Sequence, residues 1–182
     1  SDDANLRFRR FGGTAVQNFV KPWTFNPLIL QNGRLFALPS DAQHVLIYDA
    51  ATGVEQKRIN LADAYNADTL VGVAGSRLVL AGERRLICLN WPNYDPVQFS
   101  NQNESMVYWL GANSVDPLRG QPFMTTDSVF ACTTQKLLRF DLKSGMMAEG
   151  YPHGGQWDTS EGPGNILVTS EHVIVAGDRR VN

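Results

Sequence analysis

A short turn followed by a run of β-forming residues recurs four times in this chain of 182 residues. The four copies are Asn32-Gly33-Arg34-Leu35-Phe36-Ala37-Leu38, Gly75-Ser76-Arg77-Leu78-Val79-Leu80-Ala81, Thr126-Asp127-Ser128-Val129-Phe130-Ala131-Cys132 and Ser170-Glu171-His172-Val173-Ile174-Val175-Ala176. Aligning Leu35, Leu78, Val129 and Val173 gives steps of 43, 51 and 44 residues. A period of that size marks a supersecondary unit that cannot bury its apolar face alone, so the chain must stack its units as a propeller or a solenoid.

The strand after each turn also recurs, as His44-Val45-Leu46-Ile47-Tyr48, Arg85-Leu86-Ile87-Cys88-Leu89 and Lys136-Leu137-Leu138-Arg139-Phe140. These runs are nearly continuous in apolar character, the pattern of strands covered on both faces. Ala81-Gly82-Glu83-Arg84-Arg85 returns 95 residues later as Ala176-Gly177-Asp178-Arg179-Arg180, two blade lengths away. A further device follows two of the strands: Asp49-Ala50-Ala51-Thr52-Gly53 and Asp141-Leu142-Lys143-Ser144-Gly145. An Asp carboxylate accepts nearby backbone N–H groups, a Thr or Ser hydroxyl does the same, and Gly supplies a positive φ. Asp49, Thr52, Gly53, Asp141, Ser144 and Gly145 therefore read as turn makers. The intervening unit has Asn90-Trp91-Pro92-Asn93-Tyr94 at that place, without the Gly.

Pro and Gly interrupt most windows, and only Leu61-Ala62-Asp63-Ala64-Tyr65 invites a helical turn. The expected fold is all-β, with each unit a four-stranded antiparallel blade. Its inner strand is Thr69 to Val73 in the second unit, and its polar outer strand is Val54 to Ile59 in the first. The expected division is an N-terminal segment and first blade over 1–60, a second blade with a long connection over 61–110, a third blade and loop over 111–160, and the start of a fourth over 161–182. Four units make a partial propeller. Either further blades of a longer protein or a second copy would complete a seven- or eight-bladed ring, and Leu6-Arg7-Phe8-Arg9-Arg10-Phe11 is a candidate for one missing strand.

Composition narrows the function classes. Sixteen basic against 18 acidic side chains give a net charge of -2, so no electrostatic footprint for nucleic acid exists. No apolar run reaches the roughly 20 residues of a membrane-spanning helix. The opening Ser1-Asp2-Asp3-Ala4-Asn5 lacks the basic flank and apolar stretch of a signal peptide. Cys88 and Cys132 stand alone in apolar stretches, where Cys serves as a small buried hydrophobe.

A strand ending in Tyr48-Asp49-Ala50-Ala51-Thr52-Gly53, preceded by Asn32-Gly33-Arg34-Leu35-Phe36-Ala37, resembles the pyrroloquinoline-quinone-like (PQQ-like) repeat. Quinoprotein dehydrogenases and noncatalytic, BamB-like barrel-assembly lipoproteins carry that repeat. The resemblance is good from Asn32 to Ile59, fair from Thr126 to Gly145 and weaker elsewhere. It implies an eight-bladed propeller that is periplasmic, in the cell envelope or secreted, and by itself no catalysis. The enzymes use a docking tryptophan in the pattern AxDxxTGxxxW, and here Lys57 and Glu149 stand at the Trp position of the two matching repeats. Their adjacent Cys-Cys pair is also missing.

Three histidines are available, His44, His153 and His172, without metal-ligand spacing. His44 and His172 fall at strand-opening turns. His153 lies in the polar stretch between Glu149 and Asn165 with Trp157, Asp158 and Glu161, the residue types of acid-base or metal chemistry, though no nucleophile elbow, metal or phosphate-binding motif supports that use. Trp157, with Tyr151, reads as a packing or partner-binding residue. A second aromatic group, Trp91, Tyr94, Phe99, Tyr108 and Trp109, either covers the second blade or forms an exposed anchor. Asn103-Glu104-Ser105 is a formal glycosylation triplet.

The candidate binding surface is thus Trp91, Tyr94, Tyr108, Trp109, His153, Trp157 and Asp158. The expected function is a noncatalytic scaffold that binds a protein or small ligand, with no cofactor. The alternative is a piece of a PQQ-dependent alcohol or sugar dehydrogenase, which would take PQQ with calcium.

Overall fold

The computed structural model describes residues 26–99, 106–111, 116–157 and 163–177. Strands account for nearly all of the regular structure, in three four-stranded antiparallel sheets and one two-stranded sheet. The first sheet contains β1 (Ile29–Gln31), β2 (Arg34–Ala37), β3 (His44–Asp49) and β4 (Glu55–Asn60). The second contains β5 (Thr69–Ala74), β6 (Arg77–Ala81), β7 (Leu86–Asn90) and β8 (Val107–Leu110). The third contains β9 (Leu118–Met124), β10 (Ser128–Thr133), β11 (Leu137–Asp141) and β12 (Met147–Tyr151). The last pairs β13 (Asn165–Val168) with β14 (Val173–Ala176). In every sheet each strand pairs with its sequence neighbours, which is the meander of a propeller blade.

The blades fan out from their inner strands: β1 approaches β5, β5 approaches β9, and β9 approaches β13. Side-chain amides stitch these strands together where backbone ladders do not reach. Asn26 donates to the Asp68 carbonyl at 2.9 Å and accepts from Leu70 N–H at 2.8 Å. Gln31 donates to the Val73 carbonyl at 3.1 Å, and Gln121 N–H donates to Asn165 Oδ1 at 2.8 Å. The approach is tight enough to require glycine. A Cβ on Gly120, which has φ +70°, would lie 2.2 Å from the Gly164 carbonyl oxygen.

Three apolar cores fill the spaces between blades, and they explain the continuous apolar strands. Side chains alternate across a strand, so each central strand feeds two cores. Leu78 and Leu80 of β6 and Ile87 and Leu89 of β7 pack toward the first sheet against Phe36, Val45, Ile47 and Ile59. Val79, Ala81, Leu86 and Cys88 of the same strands pack toward the third, against Val129, Ala131, Leu138 and Phe140. Cys132, Ile166, Val175 and Trp157 form the core between the third and last sheets.

The two Asp turns behave as expected. Asp49 Oδ1 accepts from Thr52 N–H at 2.9 Å and from its hydroxyl at 2.9 Å; Asp141 Oδ1 accepts from Ser144 N–H at 2.7 Å and its hydroxyl at 2.6 Å. Gly53 and Gly145 take φ of +70° and +71°. The next residue in each unit, Ala50, Trp91 or Leu142, donates its N–H to Gly33, Ser76 or Asp127 in the neighbouring hairpin turn.

Helix appears where the sequence did not suggest it. Residues 61–66 form turns, whereas a 3-10 turn (Trp91–Asn93) and a short helix (Pro96–Phe99) occupy the β7–β8 connection. Asp95 caps the helix by accepting from Val97 N–H at 2.9 Å, and Pro96 opens it. Among the described residues no helix is long and apolar enough to cross a membrane. Leu6 to Phe11, the Asn103 triplet, Asp158 and Glu161 lie outside the described residues.

Candidate functional site

Cross-strand register makes the blades comparable residue by residue. On the face that each sheet turns toward the next one, Phe36, Ile47 and Lys57 lie in one row across β2, β3 and β4. The matching row in the second sheet is Val79, Cys88 and Trp109, and in the third it is Phe130, Arg139 and Glu149. The first two rows reach into the following blade. Lys57 Nζ donates to the carbonyls of Pro92 at 2.7 Å and Tyr94 at 2.8 Å, and burial of the ammonium lowers its pKa. Trp109 Nε1 donates to the Leu142 carbonyl at 2.9 Å, and its indole lies 2.5 Å from where a Cβ on Gly145 would stand.

The third row does something else. Arg139 Nη1 and Glu149 Oε2 face each other at 3.5 Å with side chains 44% and 50% exposed, while Arg139 Nε donates to Ser128 Oγ at 3.2 Å. Glu149 also meets His153 Nε2 at 3.5 Å. Here the surface opens into a cleft of about 300 Å³ lined by Phe130, Leu137, Arg139, Glu149, Tyr151 and Val173. The third sheet forms its wall, and β14 forms one rim through Val173. Tyr151 packs edge-on to His153 and to Trp157 at its side. An apolar floor with a cation, a carboxylate, an imidazole and a phenol at its margin suits recognition of a segment that is apolar with polar ends.

The residues singled out in sequence do not converge on this cleft. Tyr94 and Trp109 are buried, which corrects the reading of an exposed aromatic anchor. Tyr94 inserts between the first two blades, where its hydroxyl donates to Asp63 and accepts from Asn60 N–H at 3.2 Å; burial, then the Asp63 bond, pushes its pKa up to about 12. Trp157 is buried against Cys132, Ile166 and Val175, and Nε1 donates to the Thr133 carbonyl. Trp91 is half-buried, edge-on to Phe36 with Arg34 over its ring, so it covers the blade. Tyr108 is 40% exposed, hydrogen-bonded to Ser76 and under Arg77. Trp91 and the β7–β8 connection lie at the sheet ends opposite the β12–β13 connection that carries His153 and Trp157, because alternate turns of a meander fall on opposite edges. None of the group lines the cleft; His153 touches two residues that do, Glu149 and Tyr151, and Trp157 touches Tyr151. His44 opens β3, and His172 sits in the exposed β13–β14 turn.

Sequence reading passed over Phe130, Leu137, Arg139 and Val173. One signal was present: Arg139 is a charge in a central strand whose counterparts, Ile47 and Cys88, are wholly buried. Both cysteines are free and buried, and burial pushes the Cys88 thiol up to about 12 and raises that of Cys132, which disfavours the thiolate. Among the described residues no three His, Cys, Asp or Glu side chains converge as metal ligands.

No protein-family model matches the chain, and no curated protein matches it. Solved structures do. The computationally designed Ika4 protein is similar at TM-score 0.58 and 8% identity, over 85% of this chain and 86% of that one. BamB from Moraxella catarrhalis is similar at TM-score 0.51 and 13% identity, over 79% of this chain and 42% of that one. A europium-containing methanol dehydrogenase gives TM-score 0.45 and 11% identity, over 68% of this chain and 23% of that one. The chain therefore spans less than half of the length of these last two. At such identities the likeness establishes the fold, a set of propeller blades, and nothing finer.

Proposed function

We propose that this chain is a noncatalytic propeller scaffold whose cleft between the third sheet and β14 accepts an extended segment of protein. The observation that carries the reading is the third row of the register. Where Ile47 and Cys88 are sealed against the next blade, Arg139 and Glu149 stay in contact with water and border an apolar trough. A strand laid there gains backbone hydrogen bonds from the rim of β14 and side-chain contacts from Phe130, Leu137 and Tyr151, the mode of β-strand addition. The resemblance to PQQ-like repeats supports a periplasmic or cell-envelope setting, and the fold shared with BamB is compatible with a scaffold role. The dehydrogenase alternative rests on the repeat alone.

The test uses a short fluorescein-labelled peptide of alternating Val and Thr, and the same peptide interrupted by Pro, titrated with the dilute chain by fluorescence anisotropy. The uninterrupted peptide binds, Pro abolishes binding by removing a ladder donor, and Leu137→Asp weakens it at least about tenfold, the worth of one apolar contact. Equal behaviour of both peptides sinks the reading. Absorbance of bound pyrroloquinoline quinone with calcium, and dye reduction with an alcohol, would favour the dehydrogenase.

A further inference from the structure

We propose that Met146 and Met147 form a reversible oxidation site, which takes up two-electron oxidants of the hydroperoxide and hypochlorous acid class and spares the indole of Trp109 behind it.

The four methionines of the chain fall into two classes. Met106 is 2% exposed and its sulfur accepts from Asp95 N–H at 3.4 Å, while Met124 is partly buried over Gly72 at the core between the second and third sheets. Met146 and Met147, adjacent in the chain, are 71% and 55% exposed. Oxidation of a thioether requires access to its sulfur, so the first two are shielded and the last two meet an oxidant from solution.

This exposure belongs to the plan of the blade. Met146 leaves the Asp141 turn as Val54 leaves the Asp49 turn: each carbonyl accepts from the N–H of the turn aspartate at 2.9 Å, and each N–H donates to the turn hydroxyl, at 3.3 and 3.4 Å. Val54 remains 61% exposed although the complete second blade follows it. Backbone and turn hydroxyl hold this corner, and the side chain contributes no buried contact that a polar sulfoxide would spoil. Position links the pair to Trp109. The register pairs Met147 with Phe140, which turns it to the face carrying the core that contains Trp109. Gly145, against which the indole packs, immediately precedes Met146. Neither methionine lines the cleft, so the site is independent of strand binding there.

In the oxidising step a sulfur lone pair attacks the terminal oxygen of the peroxide, the O–O bond breaks, and water or an alcohol leaves. With hypochlorous acid the O–Cl bond breaks, and chloride and a proton leave. The sulfur gives up two electrons and becomes a sulfoxide. A thiol-dependent methionine sulfoxide reductase returns it: two thiols become a disulfide and the oxygen departs as water.

Peptide mapping by mass spectrometry tests the site. Under hydrogen peroxide, Met146 and Met147 should gain oxygen more than about tenfold faster than Met106 and Met124. The chain oxidised at this pair should melt within about 2 °C of the untreated chain, as a change confined to the surface does, and sulfoxide reductase with a dithiol should remove both oxygens. With hypochlorous acid at about two equivalents per chain, the Met146→Leu/Met147→Leu variant should carry at least about twice the oxidation at Trp109 that the unaltered chain carries. Met106 or Met124 keeping pace with the pair, or a larger fall in melting temperature once the pair alone is oxidised, overturns the site. Sulfoxides that the reductase leaves in place overturn its reversibility, and equal damage to Trp109 in both chains overturns its protective role.

Discussion

β7 and β11 hold the same place in consecutive blades, with the same number of strands on either side, and their faces toward the following blade have opposite fates. Cys88 on β7 is wholly buried beneath the third sheet, flanked by Trp109 and Val79. Arg139 on β11 is flanked by Glu149 and Phe130 and keeps nearly half of its side chain in water. The difference follows the neighbour: β7 faces a sheet of four described strands, whereas β11 faces a sheet of which two strands, β13 and β14, are described. The third sheet buries Val129, Ala131, Leu138 and Phe140 toward the second as completely as any inter-blade core requires. Its other face carries a charge pair where that core would continue.

The strongest way to break this comparison is to exchange the two residues. Cys88→Arg places an unpaired guanidinium, with more volume than the site holds, in a sealed apolar core. A cost of about 5 kcal/mol or more is expected, comparable to the whole stability of many domains. The variant should lose its cooperative melt and its near-ultraviolet circular dichroism. Arg139→Cys removes a solvated ion pair and should change stability by less than about 1 kcal/mol. Equal costs for the two would mean that the faces are equivalent after all.

Trp109→Ala comes next, with an expected loss of about 3–5 kcal/mol in urea denaturation. It deletes an indole that fills the gap over Gly145 and donates to Leu142, so it parts the second blade from the third without touching the cleft. Trp109 thus holds blade to blade from the unit that itself lacks the Asp turn, and it docks on the Asp turn of the following unit.

That displacement explains what was legible in the sequence. The blades were visible because turn chemistry and alternating apolar residues act locally, and both Asp turns fold as their residues dictate. Trp109 was hidden because the Trp91–Asn93 turn and the Pro96–Phe99 helix lengthen its unit, so a fixed-spacing motif skips it while strand register, Cys88 opposite Trp109 as Ile47 is opposite Lys57, finds it at once. The choice between blade cover and exposed anchor was hidden for a related reason. Tyr94, Trp109 and Trp157 have the composition of an interface, but each lies between blades, a fact fixed by partners 24 to 34 residues away. The cleft belongs wholly to tertiary structure, since Val173 and Phe130 come from different sheets.

A smaller effect sharpens the comparison from the first blade. Lys57 does for the first junction what Trp109 does for the second, through two carbonyls in place of a stacked ring. Lys57→Met keeps the aliphatic stem and loses the charge-assisted bonds, so about 2 kcal/mol should be lost. Urea midpoints for Lys57→Met and Trp109→Ala, separately and together, should add, because the two residues belong to different junctions.

The smallest effect separates turn chemistry from packing. The Asp49 carboxyl is held below its usual range chiefly by the Thr52 N–H and hydroxyl, and that of Asp141 chiefly by the Ser144 hydroxyl and N–H. Because the folded values lie below the unfolded one of about 3.9, both carboxylates stabilise the fold fully above that pH, and the stabilisation fades as pH falls through the folded values. Asp141→Asn should therefore lower the thermal midpoint at pH 7 only slightly and flatten its fall as the pH drops below the unfolded value of about 3.9. Trp109→Ala should shift the midpoint at pH 7 far more and leave the shape of that acid limb as it is, since no proton is bound or released by the indole. If the two variants altered the acid limb alike, the Asp turns would be acting through the docking of Trp109 on Gly145 instead of through their own hydrogen bonds.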